Sequence, residues 1–134
     1  MSKKIYYFER ILAIISAIIL LQTLYYKFTG HEDSVYIFST IGIEPYGRIG
    51  LGVIELITAV LLLYPRTAAF GAFIGVCIMM GAILTHFFIL GTEVRNDGGT
   101  LFIMAVVVFI SSVIILIIRR EQFYILFERL FERD

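Results

Sequence analysis

The chain has 134 residues, 60% hydrophobic and 16% charged, with mean hydropathy +0.93, which leaves too little polar surface for an ordinary water-soluble domain. Its formal net charge is +0 and no basic run is dense enough to track phosphates, so nothing points to a nucleic-acid partner. One cysteine, Cys77, excludes an intramolecular disulfide and a CxxC pair and reads as a small apolar residue.

The opening Met1-Ser-Lys-Lys has the charge of a signal-peptide n-region, but no small-x-small cleavage site ends the apolar stretch after it. The stretch runs instead into Tyr25-Tyr-Lys-Phe, which predicts a retained first span, about residues 8–26. The following connection, Lys27–Arg48, predicts a short helix lying in the outer interface over the mouth of the bundle. Asp33 or Ser34 would cap it, Val35, Ile37, Phe38 and Ile41 would form its apolar side, and Gly42 would end it. Pro45 sits where the first turn of span two begins.

Span two covers about residues 46–64 and span three about 67–90. The tight Tyr64-Pro-Arg-Thr turn between them makes the two helices antiparallel neighbours. On span three, Gly71, Gly75 and Ala82 form a small-residue face leading to His86, suited to close helix packing. A polar, glycine-rich turn, Gly91–Gly99, precedes span four, about residues 99–118. Apolar sequence from Gly98 to Ile118 reaches roughly 30 Å as a helix, one hydrocarbon thickness. Helices are expected because each satisfies its own backbone hydrogen bonds away from water, and the many alternating segments of a membrane β-barrel are not seen.

After Arg119-Arg-Glu-Gln, apolar Phe123, Leu126, Phe127, Leu130 and Phe131 recur at helical spacing among Glu121, Glu128, Arg129, Glu132 and Arg133. This predicts an amphipathic tail helix over 121–134, on the inner leaflet or against a partner. The fold class is therefore all-α: a four-span bundle over 1–120, with an outer interfacial helix and a tail helix. Placing both termini inside puts Lys3, Lys4, Arg10, Arg66, Arg119, Arg120, Arg129 and Arg133 on the inner side and only Lys27, Arg48 and Arg95 outside. Eight against three predicts a multi-pass protein of a bacterial-type cytoplasmic membrane with both ends in the cytoplasm.

Three spans carry one strongly polar residue each: Gln22, Glu55 and His86. Gln22 lies about 7–8 Å below the outer end of its span and Glu55 about 10 Å below the end of the next, counted from Lys27 and Arg48. His86, counted back from Arg95, falls at a similar depth. Lipid would penalise each of these groups, so convergence inside the bundle is the cheaper arrangement. Glu55 shares a helix face with Arg48, Gly52 and Ala59, and both Arg48 and Lys27 are candidate counter-ions. The bland alternatives are an ion pair that only sets helix register and a histidine merely hydrogen-bonded near a helix end. No metal-ligand spacing is present, and a two-histidine haem site would need an unusual reach from His31.

The stretches Gln22-x4-Lys27-Phe28 and Gly52-Val-Ile-Glu55-Leu-x8-Pro65, with the late third-span His86, resemble the DoxX-like family of small four-span membrane proteins, over roughly residues 8–118. The resemblance implies a bundle of four membrane helices and carries Lys27, Glu55 and His86 over as lining of a shared outer-side pocket. The family is similar to a subunit of a thiosulfate:quinone oxidoreductase, and some relatives are implicated in membrane redox complexes. The preferred expectation is thus an accessory or quinone-facing subunit without an intrinsic cofactor. In it His86 or Gln22 donates to a quinone carbonyl and Glu55 passes protons. The alternatives are a proton-coupled small-solute transporter and a non-catalytic scaffold or assembly factor. Expected partners are the bilayer, a membrane redox protein or a second copy of the chain. Catalytic residues are not assigned.

Overall fold

The computed structural model describes residues 1–132; Arg133, counted above with the tail and the inner charges, and Asp134 lie outside the described residues. The helices are α1 (Lys3–Thr29), α2 (Glu32–Ile41), α3 (Tyr46–Leu63), α4 (Ala68–Thr85), α5 (Thr100–Ile118) and α6 (Arg120–Phe131), and α4 continues through a π-helical turn, His86–Leu90. No strand occurs among the described residues. Four of these segments, α1, α3, α4 with its π turn, and α5, are long and apolar enough to cross a membrane.

The four pack antiparallel in a ring, α1 beside α3, α3 beside α4, α4 beside α5 and α5 beside α1. One end gathers the start of α1, the α3–α4 turn and α6. The other gathers α2, the π turn and the α4–α5 loop. The distribution of side chains is that of a bundle in lipid. Ala13, Ala17, Ala59, Ala68, Ala69 and Ala72 are at most 1% exposed, whereas Ile11, Ile18, Val60, Ile103, Ile110 and Ile117 are all more than half exposed. Small residues inside let backbones approach, and large aliphatic ones outside meet acyl chains. Gly71 shows how close that approach is, because a Cβ built there would lie 2.8 Å from the Leu62 backbone nitrogen.

Local chemistry explains where the elements begin and end. Helix α1 starts earlier than the apolar run suggests, because the Ser2 hydroxyl accepts from the Ile5 N–H, and it ends at left-handed Gly30. Helix α2 is capped by His31, not by Asp33 or Ser34: its Nδ1 accepts from the Asp33 N–H at 3.2 Å. Its end at left-handed Gly42 is as expected. Tyr64 is extended, as a residue before proline prefers, which closes α3 ahead of Pro65. The tail helix is tied to the bundle by Gln122, whose amide accepts from the Ala69 N–H at 3.0 Å and donates to the Pro65 carbonyl at 2.9 Å. Phe123 packs on Phe70 and Phe73, while Tyr124, Phe127, Leu130 and Phe131 stay exposed.

Candidate functional site

The end of the bundle beneath α2 holds a cavity of about 710 Å³ lined by α1, α2, α3, α4, the π turn and α5. Most of its wall is apolar, including Ile37, Phe38 and Ile41 of α2 and Leu101 and Met104 of α5. Gln22, Lys27, Glu55 and His86 all line it, together with Thr23 and Asp97. Volume and lining match those of sites for small organic molecules, which are mostly apolar with a few placed polar groups.

Helix α3 brings Glu55 inward with Gly52 and Ala59, all three buried. The carboxylate is 4% exposed, and its Oε2 lies 2.9 Å from the Lys27 ammonium. The Thr23 hydroxyl is 3.4 Å from the same oxygen but only 2.8 Å from the Leu20 carbonyl, which is therefore its better acceptor. Among the described residues no donor reaches Oε1, so the carboxylate keeps acceptor capacity on its second oxygen.

Arg48, the other candidate counter-ion, does not line the cavity. Its Nε donates to Glu44 at 2.9 Å, and its NH1 donates to the Lys27 carbonyl at the end of α1. Both partners are closer at hand than a carboxylate two turns further along α3, so Arg48 fastens α1 to α3 and leaves Glu55 to Lys27. The sequence alone left that choice open.

His86 is buried at the first position of the π turn. Gly91 holds it twice: its N–H donates to the His86 carbonyl at 2.7 Å, and its carbonyl lies 2.9 Å from His86 Nδ1. A carbonyl can only accept, so Nδ1 carries the proton, and in the neutral ring Nε2 is an acceptor. Neutral His86 therefore suits a hydroxyl donor, and the expected donation to a carbonyl would require the imidazolium. Gln22 Nε2 lies 3.1 Å from Met104 Sδ, a weak acceptor, which leaves the rest of its amide for a better partner.

Two groups at this end were missed in the sequence. The Gly91–Gly99 connection is not simply a bendable turn. Asp97 accepts from the backbone N–H groups of Val94, Gly99 and Leu101 at 3.0, 2.8 and 3.1 Å. Burial acts to raise its carboxyl pKa, but these three bonds and the nearby His86 outweigh it and hold the pKa below the ordinary aspartate value. An aspartate followed by two glycines at the head of an apolar run is a start signal that could have revealed it. Arg95, in the same loop, pairs with Asp33 at 2.7 Å and Glu32 at 3.3 Å and lies over the Tyr36 ring. It thereby clips α2 to the loop across the top of the cavity. No cluster of His, Cys, Asp and Glu suited to a metal ion occurs among the described residues.

The model of the DoxX-like family matches residues 11–115, which include every cavity-lining side chain on α1 to α5. The chain belongs to the DoxX-like family. Among curated proteins and among solved structures no significant match is found. Membership accounts for the four membrane helices and for the segment that builds the cavity, while α6 lies beyond the matched region.

Proposed function

We propose that this DoxX-like protein binds a small amphipathic molecule of the quinone class in the cavity under α2, as an accessory subunit of a membrane redox system. The observation that carries the reading is one largely apolar cavity of about 710 Å³ with Lys27, Glu55, Gln22 and His86 on its wall. An apolar ring system and tail would be accommodated by the α2 and α5 side chains. Lys27 and the free amide positions of Gln22 would donate to ring oxygens, and His86 Nε2 or Glu55 Oε1 would accept a hydroxyl proton. The chain itself supplies no redox centre in this reading, so electrons would be exchanged with a partner protein in the same membrane. In this reading the membrane is the bacterial-type cytoplasmic one with both termini facing the cytoplasm, an orientation that the excess of Lys and Arg at that end supports.

Transport is the weaker reading for a specific reason. Between the cavity and the end with the termini, Ala13, Ala17, Ala59, Leu62, Ala72, Val108 and Ile115 are packed to 1% exposure or less, and the polar side chains buried among them, Ser16, Thr58, Ser111 and Ser112, carry hydroxyls and no ionisable group. The test is titration of the purified chain, in mild detergent, with short-tailed ubiquinone and menaquinone analogues. Saturable binding is expected, weakened in Glu55→Gln and abolished by the cavity-filling Ala82→Phe. Absence of saturable binding to either analogue contradicts the proposal. Proton or solute flux in reconstituted vesicles that vanishes in Glu55→Gln would favour transport instead.

A further inference from the structure

The end of the bundle that carries the termini has its own polar architecture, unrelated to the cavity under α2. A recess of about 830 Å³ lies between the start of α1, the α3–α4 turn, the end of α5 and the tail helix α6. Arg66, Arg119, Arg120 and Arg129 line it, against a single acidic side chain, Glu121. Its remaining wall is largely apolar, and Ile117 and Ile125, more than half and half exposed respectively, continue that surface outward.

Arg119 is the anchor. It is 8% exposed, and its NH2 donates to Glu9 Oε2 at 2.8 Å. Its Nε is buried with no hydrogen-bond partner among the described residues. A buried guanidinium N–H left unpaired is costly, and a missing acceptor is the simplest remedy. Arg120 spends one N–H on the Ile117 carbonyl of its own chain at 3.0 Å and keeps the others. Arg66 has no ion-pair partner among the described residues. Guanidinium forks bind phosphate oxygens in pairs, and basic pockets at the ends of membrane helices are suited to anionic headgroups.

We infer that this recess binds the phosphate of an anionic phospholipid, with Arg66, Arg119 and Arg120 around the headgroup. The acyl chains lie along the exposed aliphatic side of α5. A lipid fits better than a soluble phosphate because the arginines stand where membrane-crossing helices meet an amphipathic helix with exposed Phe127, Leu130 and Phe131. That places charge and apolar surface together, as a phospholipid requires. The headgroup would supply the acceptor that Arg119 Nε lacks and would fix the tail helix at the membrane surface.

The experiment is native mass spectrometry of the delipidated full chain in mild detergent, with phosphatidylglycerol and phosphatidylcholine of matched chains and separately with inorganic phosphate. Phosphatidylglycerol is expected to bind preferentially. Arg66→Gln with Arg120→Gln should weaken it by about fivefold for each charge removed. Neither substitution touches the Glu9–Arg119 pair, and an unchanged thermal melt verifies that the variant is folded. Lys3→Gln with Lys4→Gln removes the same charge from the same end outside the recess and should have little effect. Equal retention of the two lipids, or equal losses in the two double variants, overturns the inference. Saturable binding of inorganic phosphate with no lipid preference overturns the lipid assignment in favour of a soluble anion.

Discussion

Glu9 is fully buried in the first helix, where its carboxylate receives Arg10 at 2.5 Å and Arg119 at 2.8 Å. Removing the carboxylate would strand Arg119, so Glu9→Ala should cost about 3–5 kcal/mol in stability, as breakage of buried pairs generally does. Thermal melts in detergent should show that loss, and Glu9→Ala with Arg119→Met should recover much of it. At the opposite end, Asp97 gives a dependence on pH. Its folded pKa is depressed, so its stabilisation is complete above the ordinary aspartate value, about 3.9, and disappears as pH falls through the lower folded value. Melting temperature measured during acidification should fall in this range and fall less steeply in Asp97→Asn. Neither contact could be read from local spacing: Glu9 and Arg119 are 110 positions apart, and Asp97 works by gathering backbone groups that only the folded loop brings together. Lys27 and Arg48 were both visible as partners for Glu55. The choice between them depended on how α1 ends, where the Lys27 carbonyl occupies Arg48.

At the level of elements, the close crossing of α3 and α4 rests on Gly71. A Cβ there would lie 2.8 Å from the Leu62 nitrogen and 2.9 Å from Leu61 Cβ, and a backbone cannot turn aside as a flexible side-chain tip can. Gly71→Ala should therefore destabilise the protein by about 1–3 kcal/mol, the usual cost of overpacking. Gly81→Ala, in the same helix with nothing within 4 Å, should not lower the melt. The helices themselves were legible because uninterrupted apolar sequence, Pro65 and Gly42 are local signals. Their ends were less so. The early start of α1 and the His31 cap depend on single side-chain bonds, and α2's inward side proved to be Ser34, Ile37, Phe38 and Ile41. Val35, expected on that side, does not line the cavity. The tail's periodicity announced an amphipathic helix but not the Gln122 and Phe123 contacts that dock it on α4.

For the whole molecule, the two ends are chemically distinct: an apolar cavity with a Lys27–Glu55 ion pair on its wall at one, an arginine-lined recess at the other. The excess of basic residues at the end with the termini predicts that this end faces the cytoplasm. In a Cys77→Ser background, a membrane-impermeant thiol reagent applied to intact cells should label Glu93→Cys and spare Glu121→Cys until the cells are opened. Gln22, Glu55 and His86 were expected to converge inside the bundle because lipid penalises each of them facing outward; all three line the cavity, but only Glu55 and His86 are buried, and Gln22 stays exposed. What meets them there is a question of chemistry. The most direct measurement is an experimental density map of the protein extracted with its native lipids. Elongated density is predicted under α2, with a polar head within hydrogen-bond distance of Lys27, Gln22 or His86. A cavity closed by its own side chains, or holding water alone, would contradict it.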